Sequence, residues 1–522
     1  MERTLEYILR FAQDDILRTL ILSLACLATF ACERAPNGAQ LARANCSVCH
    51  AFPEPALLDK KTWQEGVLPQ MARRVGVTLP GTSWLAIPNP YMKVLARPVS
   101  DADWTKIVAY YRDSAPDKLP AQTPPAQATV DPAFFTVTPF AHKLPSSGII
   151  TLLKVDSARK RIYVGEANNS LRVFDFHRRL LTSITLGSPP TAAIFDSDKV
   201  LILESGILDP NDQAKGRLVQ YDRVGRDSLR FGKVIIDSLL RPVFVQRYDF
   251  TKDGHETYVI CEFGNNRGRL ALYKHDDSRY VRQVLDANPG AIRFEIRDLT
   301  GDGAPDIVAL LAQADERIVL FENDGKGNFT GAQRILARFP PVYGSMYFAM
   351  FDFNGDGHPD IVYVNGDNFD YSRVLKPYHG MRILENDGKN NFRERYFYPV
   401  YGAARAEVAD YSHDGKLDIL VTSNFADFQG HPERGIVFLE NLGDYRFQPY
   451  SFTVSAGNQW NLTATADLEG DGSPEVLVAS MNLENIAKRQ QRVVPHSLDA
   501  EKDAILVFRR AGRGAGSGAH GQ

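Results

Sequence analysis

Residues 298–306 read DLTGDGAPD, and the apolar run IVALL follows directly at 307–311. The arrangement returns at 352–360 (DFNGDGHPD, then IVYV), at 410–418 (DYSHDGKLD, then ILVT) and at 467–475 (DLEGDGSPE, then VLVA). A weaker copy, DFTKDG, begins at 249. Because an acidic turn leads each time into an apolar run, these copies predict a chain built from one repeated structural unit.

Each copy carries oxygen-bearing side chains at positions 1, 3, 5 and 9, and a glycine at position 6 permits a tight turn. A hard cation such as Ca²⁺ prefers this set of ligands. An EF-hand is excluded because it needs Glu at position 12 and flanking helices, whereas position 12 here lies within an apolar run. A solvated Asp-Gly turn without metal is the alternative for any single copy. The predicted calcium ligands are Asp298, Thr300, Asp302, Asp306, Asp352, Asn354, Asp356, Asp360, Asp410, Ser412, Asp414, Asp418, Asp467, Glu469, Asp471 and Glu475.

A second landmark repeats out of phase with the first. Short apolar segments that end in turns recur at 173–175, 219–222, 272–274, 320–325, 383–388, 438–441 and 506–508. Their spacing of about 50 to 65 residues suits a four-stranded propeller blade. We therefore predict a mainly β protein with a seven-bladed β-propeller over residues 133–510. The strand Phe134–Thr138 is expected to complete the last blade beside Leu506–Phe508.

Together these landmarks resemble the FG-GAP/VCBS repeat family, which also forms the propellers of integrin α-subunits. The resemblance covers about residues 240 to 510. The two blades expected near 148–190 and 191–235 lack the full acidic signature, so their prediction depends on the strand pattern alone. The resemblance implies a calcium-bound propeller that binds other molecules.

Upstream of the repeats, residues 46–50 read CSVCH, the Cys-x-x-Cys-His signature of covalent c-type haem attachment. A thioredoxin-like redox pair would follow a strand, whereas a short helix is predicted at Gln40–Asn45. A zinc site would need a second Cys/His pair, which this region lacks. We therefore predict a small all-α cytochrome c domain over residues 36–118. Its single haem would be held by Cys46, Cys49 and His50.

Met71 and Met92 are the two methionines of this region that can supply a sixth ligand. Met92 lies in a Pro-rich loop before the last predicted helix, where small cytochromes c carry their axial methionine. The motif together with Pro53, Pro55, Trp63 and Met71 resembles a monohaem subgroup with the pattern CxxCHxxPxP…W…M. That resemblance implies Met71 as the ligand. A His/Met pair implies a high reduction potential, which suits electron transfer.

The regions around the haem motif complete the predicted domain plan. Helices are expected over Leu58–Val75 and after Ser100, where Ser-x-x-Asp is a capping pattern. A Pro/Ala-rich linker is predicted at 119–132 and a disordered tail at 511–522.

Residues 1–32 have the features of an export signal. Three arginines precede an apolar run at 19–31, which is too short to span a bilayer comfortably but suits a signal-peptide core. The small residues before Cys32 resemble a bacterial lipoprotein cleavage site, which would tether the protein to a membrane through lipidated Cys32. Ordinary cleavage near Ala31 is the alternative. Both readings predict an exported protein, located in the periplasm, at the outer membrane or at the cell surface.

Composition narrows the function further. The chain has 60 basic and 63 acidic side chains, so nothing suggests a nucleic-acid partner. We predict an electron-transfer protein rather than an enzyme, with a redox protein as its partner and the propeller as a docking scaffold. One alternative is an oxidoreductase with an active site in the propeller, although its histidines are scattered. The other is a surface adhesion module in the manner of integrins.

Overall fold

The computed structural model describes residues 35–78, 90–133, 135–140, 149–276, 279–367, 374–481 and 504–511. These residues form seven β-sheets and a small helical domain. The predicted signal segment 1–32 and nearly all of the predicted tail lie outside the described residues. In the part of the chain that the structure describes, no helix is long and apolar enough to cross a membrane.

Each sheet is one blade, in which antiparallel strands follow one another outward from the axis. Blade 1 comprises β3 (Ile150–Asp156), β4 (Arg161–Glu166), β5 (Ser170–Asp175) and β6 (Leu180–Thr185). Blade 2 comprises β7 (Pro190–Phe195), β8 (Lys199–Glu204), β9 (Gly216–Val224) and β10 (Ser228–Leu239). Blade 3 comprises β11 (Pro242–Tyr248), β12 (Thr257–Glu262), β13 (Arg269–Asp276) and β14 (Arg279–Asp286). Blades 4 and 5 comprise β15 (Ala291–Arg297), β16 (Asp306–Leu311), β17 (Arg317–Phe321), β18 (Arg334–Arg338); and β19 (Ser345–Phe351), β20 (Asp360–Asn365), β21 (Gly380–Asn386), β22 (Phe392–Pro399). Blades 6 and 7 comprise β23 (Ala403–Ala409), β24 (Asp418–Ser423), β25 (Ile436–Gly443), β26 (Arg446–Ser451); and β27 (Trp460–Ala466), β28 (Glu475–Ser480), β29 (Ile505–Arg510) with β2 (Phe135–Pro139).

The apolar run after each acidic turn is the second strand of its blade. Every residue of β16, β20, β24 and β28 is buried, because neighbouring blades cover both faces of these strands. A strand covered on both faces needs a continuous apolar run rather than an alternating pattern. The second landmark corresponds to the third strands of the blades. It is out of phase with the first because the acidic turns precede the second strands.

The first strands surround the propeller axis. Each contacts the first strand of the next blade, and β27 contacts β3, so the ring is closed. In every blade the pairing of the first strand with the second shifts register one residue after it begins. Such a bulge increases the local twist and redirects the side chains that follow it.

The ring closes through a strand from the N-terminal side. β2 pairs antiparallel with β29, with Val137 opposite Phe508, and becomes the outermost strand of blade 7. Phe135 inserts edge-on against Phe438 at a ring-centroid distance of 4.9 Å and joins a buried aromatic cluster. This confirms the predicted closure and the seven-bladed propeller; Phe134 lies outside the described residues.

The helical domain contains α1 (Gly38–Cys46), a π-helical segment (Thr62–Val67) that continues into α2 (Leu68–Arg74), and α3 (Asp101–Ser114). The helix predicted after Ser100 is confirmed, with the Ser100 hydroxyl accepting from the Asp103 N–H at 3.1 Å. The helix predicted over Leu58–Val75 instead begins at Lys60, two residues before the π-helical segment. The Asp59 carboxylate accepts the Thr62 N–H at 2.9 Å and so caps this later start.

The helical domain and the acidic turns occupy opposite faces of the propeller. The acidic turns join first to second strands, whereas the loops that touch the helical domain join second to third or fourth to first strands. Tyr378 donates to the Leu57 carbonyl at 3.0 Å, and Arg74 donates to Asn266 at 2.8 Å. The linker continues along this surface until β1 (Thr129–Val130) adds to blade 6, parallel to β26.

Candidate functional site

The Cys-x-x-Cys-His segment lies at the end of α1, where Cys46 is the last helical residue. Both of its cysteines are free thiols; Cys46 is half-buried and Cys49 is exposed. Burial raises the pKa of the Cys46 thiol to about 11, and the Tyr111 hydroxyl beside it opposes that rise. At neutral pH Cys46 is therefore a protonated thiol and not a reactive thiolate of the redox-enzyme type.

His50 has one ring nitrogen in a hydrogen bond, and the other has no partner in the part of the chain that the structure describes. Its Nδ1 lies 2.8 Å from the Ala51 carbonyl oxygen. Since a carbonyl can only accept, Nδ1 carries the hydrogen and Nε2 keeps its lone pair. Burial also lowers the pKa of His50, which favours the neutral imidazole. A neutral imidazole whose other nitrogen is oriented by a carbonyl is the form that ligates metals.

Blade 4 contributes charges near this imidazole. Asp315 raises and Arg338 lowers the pKa of His50, and both act less than burial does. The Arg338 Nε donates to Asp315 Oδ1 at 2.6 Å, so the two charges largely compensate each other. The motif therefore faces the propeller and does not stand apart from it.

The loop after His50 is fixed by two aromatic side chains. The Trp63 indole N–H donates to the Pro55 carbonyl and the Tyr111 hydroxyl donates to the Pro53 carbonyl, each at 2.8 Å. Both rings are buried, and their centroids are 4.5 Å apart. The structure thus brings together the prolines and tryptophan of the subgroup pattern. The role of the Tyr111 hydroxyl was not predicted from the sequence, where the one available signal was a Tyr at a position that Phe could fill for packing alone.

The two candidate methionines lie in different surroundings. Met71, on α2, is half-buried and packs against the same apolar core as Cys46. Met92 lies between Tyr91, which sits 4.6 Å from the Arg267 guanidinium, and Lys93, which bonds Asn288 at 2.7 Å. Those neighbours hold the Met92 segment against the propeller.

The acidic turns share one backbone curl. In each, the first aspartate accepts the N–H of the glycine at position 6, whose φ lies between 83° and 86°. These contacts are Asp298–Gly303 at 2.9 Å, Asp352–Gly357 at 2.9 Å, Asp410–Gly415 at 3.0 Å and Asp467–Gly472 at 2.9 Å. The weaker copy has the same curl, with Asp249–Gly254 at 2.8 Å, but Thr257 stands at its position 9.

The carboxylate at position 9 links the two sequence landmarks. It is buried in all four full copies, namely Asp306, Asp360, Asp418 and Glu475. In the first three it accepts the N–H of an asparagine at the end of the third strand: Asn323 at 3.0 Å, Asn386 at 2.8 Å and Asn441 at 2.8 Å. These asparagines belong to the second sequence landmark, but their bond to the position 9 carboxylate was not predicted. Burial raises the pKa of Asp418 to about 6.

The turns differ in the cations near them. In blade 7, the Arg509 guanidinium lies 3.9 Å from Glu469, 3.3 Å from Asp471 and 3.6 Å from Glu475. In blade 6, Lys416 Nζ lies 2.6 Å from Asp414. Within the described residues, the turns at 298–306 and 352–360 form no ion pair with a lysine or arginine side chain. Across those residues, no three His, Cys, Asp or Glu side chains form a ready metal-binding group, so calcium stays a prediction.

Comparisons with known proteins concern the propeller. Residues 298–363 match the FG-GAP-like repeat family. Two solved structures resemble the chain at 11% identity: a chain of the S. cerevisiae complex of Dbp5 with Nup159, Gle1, IP6 and ADP, and the Dos1 propeller. The first has a TM-score of 0.41, and the match covers 74% of this chain and 99% of that chain. The second has a TM-score of 0.42, and the match covers 70% of this chain and 78% of that chain. No curated protein matches. The chain folds as a seven-bladed β-propeller, in which residues 298–363 match the FG-GAP-like repeat family.

Proposed function

We propose that the protein is an exported electron-transfer protein that binds one c-type haem covalently through its helical domain. The observation that carries the proposal is the arrangement at the end of α1. Two free thiols in the attachment spacing precede a neutral imidazole whose Nε2 has no hydrogen-bond partner among the described residues. The export signal predicted at residues 1–32 would direct the chain to the compartment where such attachment takes place.

The residues present fit this prosthetic group. Cys46 and Cys49 would form its two thioether bonds, and His50 Nε2 would be the proximal ligand. The bound haem would supply a one-electron redox centre. Trp63 and Tyr111 keep the following loop in place through its carbonyls, so they would hold the ligand side of the site rigid.

Met71 is proposed as the sixth ligand rather than Met92. It shares the apolar core of the helical domain with Cys46. Met92 lies in a segment anchored to the propeller by the neighbouring Tyr91 and Lys93. A thioether in an apolar setting raises the reduction potential of a His-ligated haem.

The propeller is proposed as a calcium-stabilised docking scaffold for a redox partner protein. Its acidic turns lie on the face opposite the helical domain. The face that carries the turns is therefore available to a cation and to a partner protein. The turns at 298–306 and 352–360 offer the most favourable calcium sites, because no lysine or arginine of the described structure is ion-paired with their carboxylates. Lipidation at Cys32 would tether the scaffold to a membrane.

The test is a visible spectrum of the full chain produced with haem-maturation machinery, in oxidised and reduced forms. We expect a reduced c-type spectrum in wild type and haem that stays attached to the denatured chain, and we expect both to be lost when Cys46 and Cys49 are both replaced by alanine. Met71→Ala should remove the weak red-region band of methionine–iron ligation, whereas Met92→Ala, the matched control, should retain it. A chain that matures without covalent haem contradicts the proposal, and loss of the band in Met92→Ala reassigns the sixth ligand.

A further inference from the structure

A groove lies between the outer strands of blades 2 and 3, and we call it the rim groove. Its floor is apolar, because Ile236 and Tyr273 are buried in the core between these blades, and the partly exposed Ile235 and Tyr280 pack against the same core. Its volume of about 590 Å³ is that of a ligand-binding cleft. The residues that line it are Lys233, Val234, Ile235, Ile236 and Asp237 of β10, Tyr273 and His275 of β13, and Arg279, Tyr280 and Arg282 of β14.

Strand pairing determines which side chains of blade 3 face the rim groove. Tyr273 stands opposite Arg282 and His275 stands opposite Tyr280, so these four side chains share one face of the β13–β14 hairpin. Since Tyr273 and Tyr280 pack towards blade 2, Arg282 and His275 are directed there as well. On the other wall, the pairing of β10 with β9 shifts register after Val234, and this bulge lets consecutive residues of β10 contact the same apolar core.

The rim groove carries basic side chains that the described part of the protein does not neutralise. Lys233, Arg279 and Arg282 are exposed, and none of their side chains forms an ion pair or a hydrogen bond with a described residue. Asp237 is the one acidic residue among the lining residues, and its carboxylate accepts the N–H of the following residue at 2.6 Å. Asp276 stands opposite Arg279 at the end of the hairpin, but the two are not ion-paired in the described structure. The groove therefore has an excess of positive charge.

Arginines on the outer strands of other blades have partners. Arg334 on β18 donates to the Lys389 carbonyl at 2.7 Å, and Arg393 on β22 lies 3.8 Å from Glu385. Charged side chains on an outer strand can serve simply to prevent sheets from associating. In the rim groove, however, the basic side chains border a partly open apolar floor, and that combination favours a ligand with both acidic and apolar groups.

The geometry points to the rim groove as a docking site for an extended acidic segment of a partner protein. Carboxylates of the segment would pair with Lys233 and Arg282, and an apolar side chain between them would cover Tyr280. An extended segment suits the site because β10 and β14 are each the last strand of their sheet, with free outer edges among the described strands. The outer edge of blade 6 already accepts an added strand, the parallel β1. This inference goes beyond the proposed electron transfer and depends on neither haem nor calcium.

The test is fluorescence anisotropy of the full chain with a short labelled peptide in which aspartate and glutamate flank leucine and phenylalanine. We expect saturable binding to wild type that weakens as the salt concentration rises, since the contacts join exposed charges. Lys233→Met and Arg282→Gln should each weaken binding about two- to fivefold, as expected for the loss of one exposed ion pair. The matched control is Arg393→Gln, which removes an exposed arginine from the outer strand of blade 5 and should keep the wild-type affinity.

A charge reversal makes the test specific. The double variant Lys233→Glu, Arg282→Glu should lose the acidic peptide and bind a peptide with lysine in place of its acidic residues, and melting curves verify that each variant is folded. The inference is overturned if wild type binds the acidic peptide no better than a peptide with asparagine and glutamine in its place, or if Arg393→Gln weakens binding as much as Arg282→Gln. It is also overturned if phosphatidylglycerol vesicles bind wild type and the acidic peptide does not, because the groove would then recognise an anionic surface.

Discussion

The buried carboxylate at position 9 of each acidic turn should stabilise its blade even without metal. Asp306 shows this most clearly, since it is fully buried and accepts three backbone N–H groups, those of Leu299 at 3.0 Å, Thr300 at 3.1 Å and Asn323 at 3.0 Å. In Asp306→Ala these buried donors lose a charged acceptor, and each such loss costs about 1 to 3 kcal/mol. Since solvent reaches part of the turn, we expect a total loss of about 3 to 5 kcal/mol in the free energy of unfolding.

Asp302 in the same turn is the matched control. It is exposed, and its carboxylate accepts one backbone bond, from Ala304 at 2.8 Å. Without calcium, Asp302→Ala should therefore lose less than about 1 kcal/mol. With calcium it should lose the additional stabilisation that the bound ion gives to wild type.

The assay is urea unfolding of wild type and both variants, once in a chelator and once in excess calcium. In the chelator, Asp306→Ala should unfold at a clearly lower urea concentration than Asp302→Ala. Equal midpoints in the chelator would refute the reasoning that position 9 links the first and third strands independently of metal.

Three further predictions follow from single contacts. Burial raises the pKa of Glu316 to about 7, above its value in the unfolded chain. Its protonated form therefore contributes fully to the free energy of unfolding below about pH 4.5, and this contribution is lost as the pH rises through 7. From melting curves over that pH range, the free energy of unfolding of wild type should fall by up to about 3 kcal/mol relative to that of Glu316→Gln. Parallel pH profiles of the two proteins would contradict this. Arg509→Gln should strengthen calcium binding at residues 467–475, because the guanidinium there competes with the ion; unchanged calorimetric titrations would count against it. Trp63→Phe should lower the free energy of unfolding of the helical domain by about 1 to 3 kcal/mol, since the buried Pro55 carbonyl loses its hydrogen-bond donor. Hydrogen exchange measures this loss, and exchange rates equal to those of wild type would contradict it.

The propeller was predictable because its information is local and repeated. Each acidic turn is followed by a continuous apolar run, and a strand covered on both faces requires that run. The blades without the acidic signature, β3–β6 and β7–β10, were also predicted correctly, since their third strands carry the same apolar-to-turn pattern.

Contacts that join distant parts of the chain were not predictable. The Pro/Ala-rich composition of residues 119–132 indicates an extended segment, but it does not specify that Thr129 pairs with Tyr450. Arg509 reaches the turn that begins at Asp467 from the far end of blade 7, and no local pattern records this. For the same reason the face on which the helical domain docks could not be inferred from sequence.

The strand that completes blade 7 also has a consequence for how the chain acquires its fold. β2 precedes every strand of blades 1 to 5, whereas its partner β29 is the last of the described strands to be synthesised. Blade 7 therefore cannot form until the whole ring has been made, and its closure carries the largest loop entropy in the molecule. Until then β27 and β28 present an open sheet edge, a surface on which unfinished chains associate. Ring closure is thus the step before which unfinished chains most need protection from association.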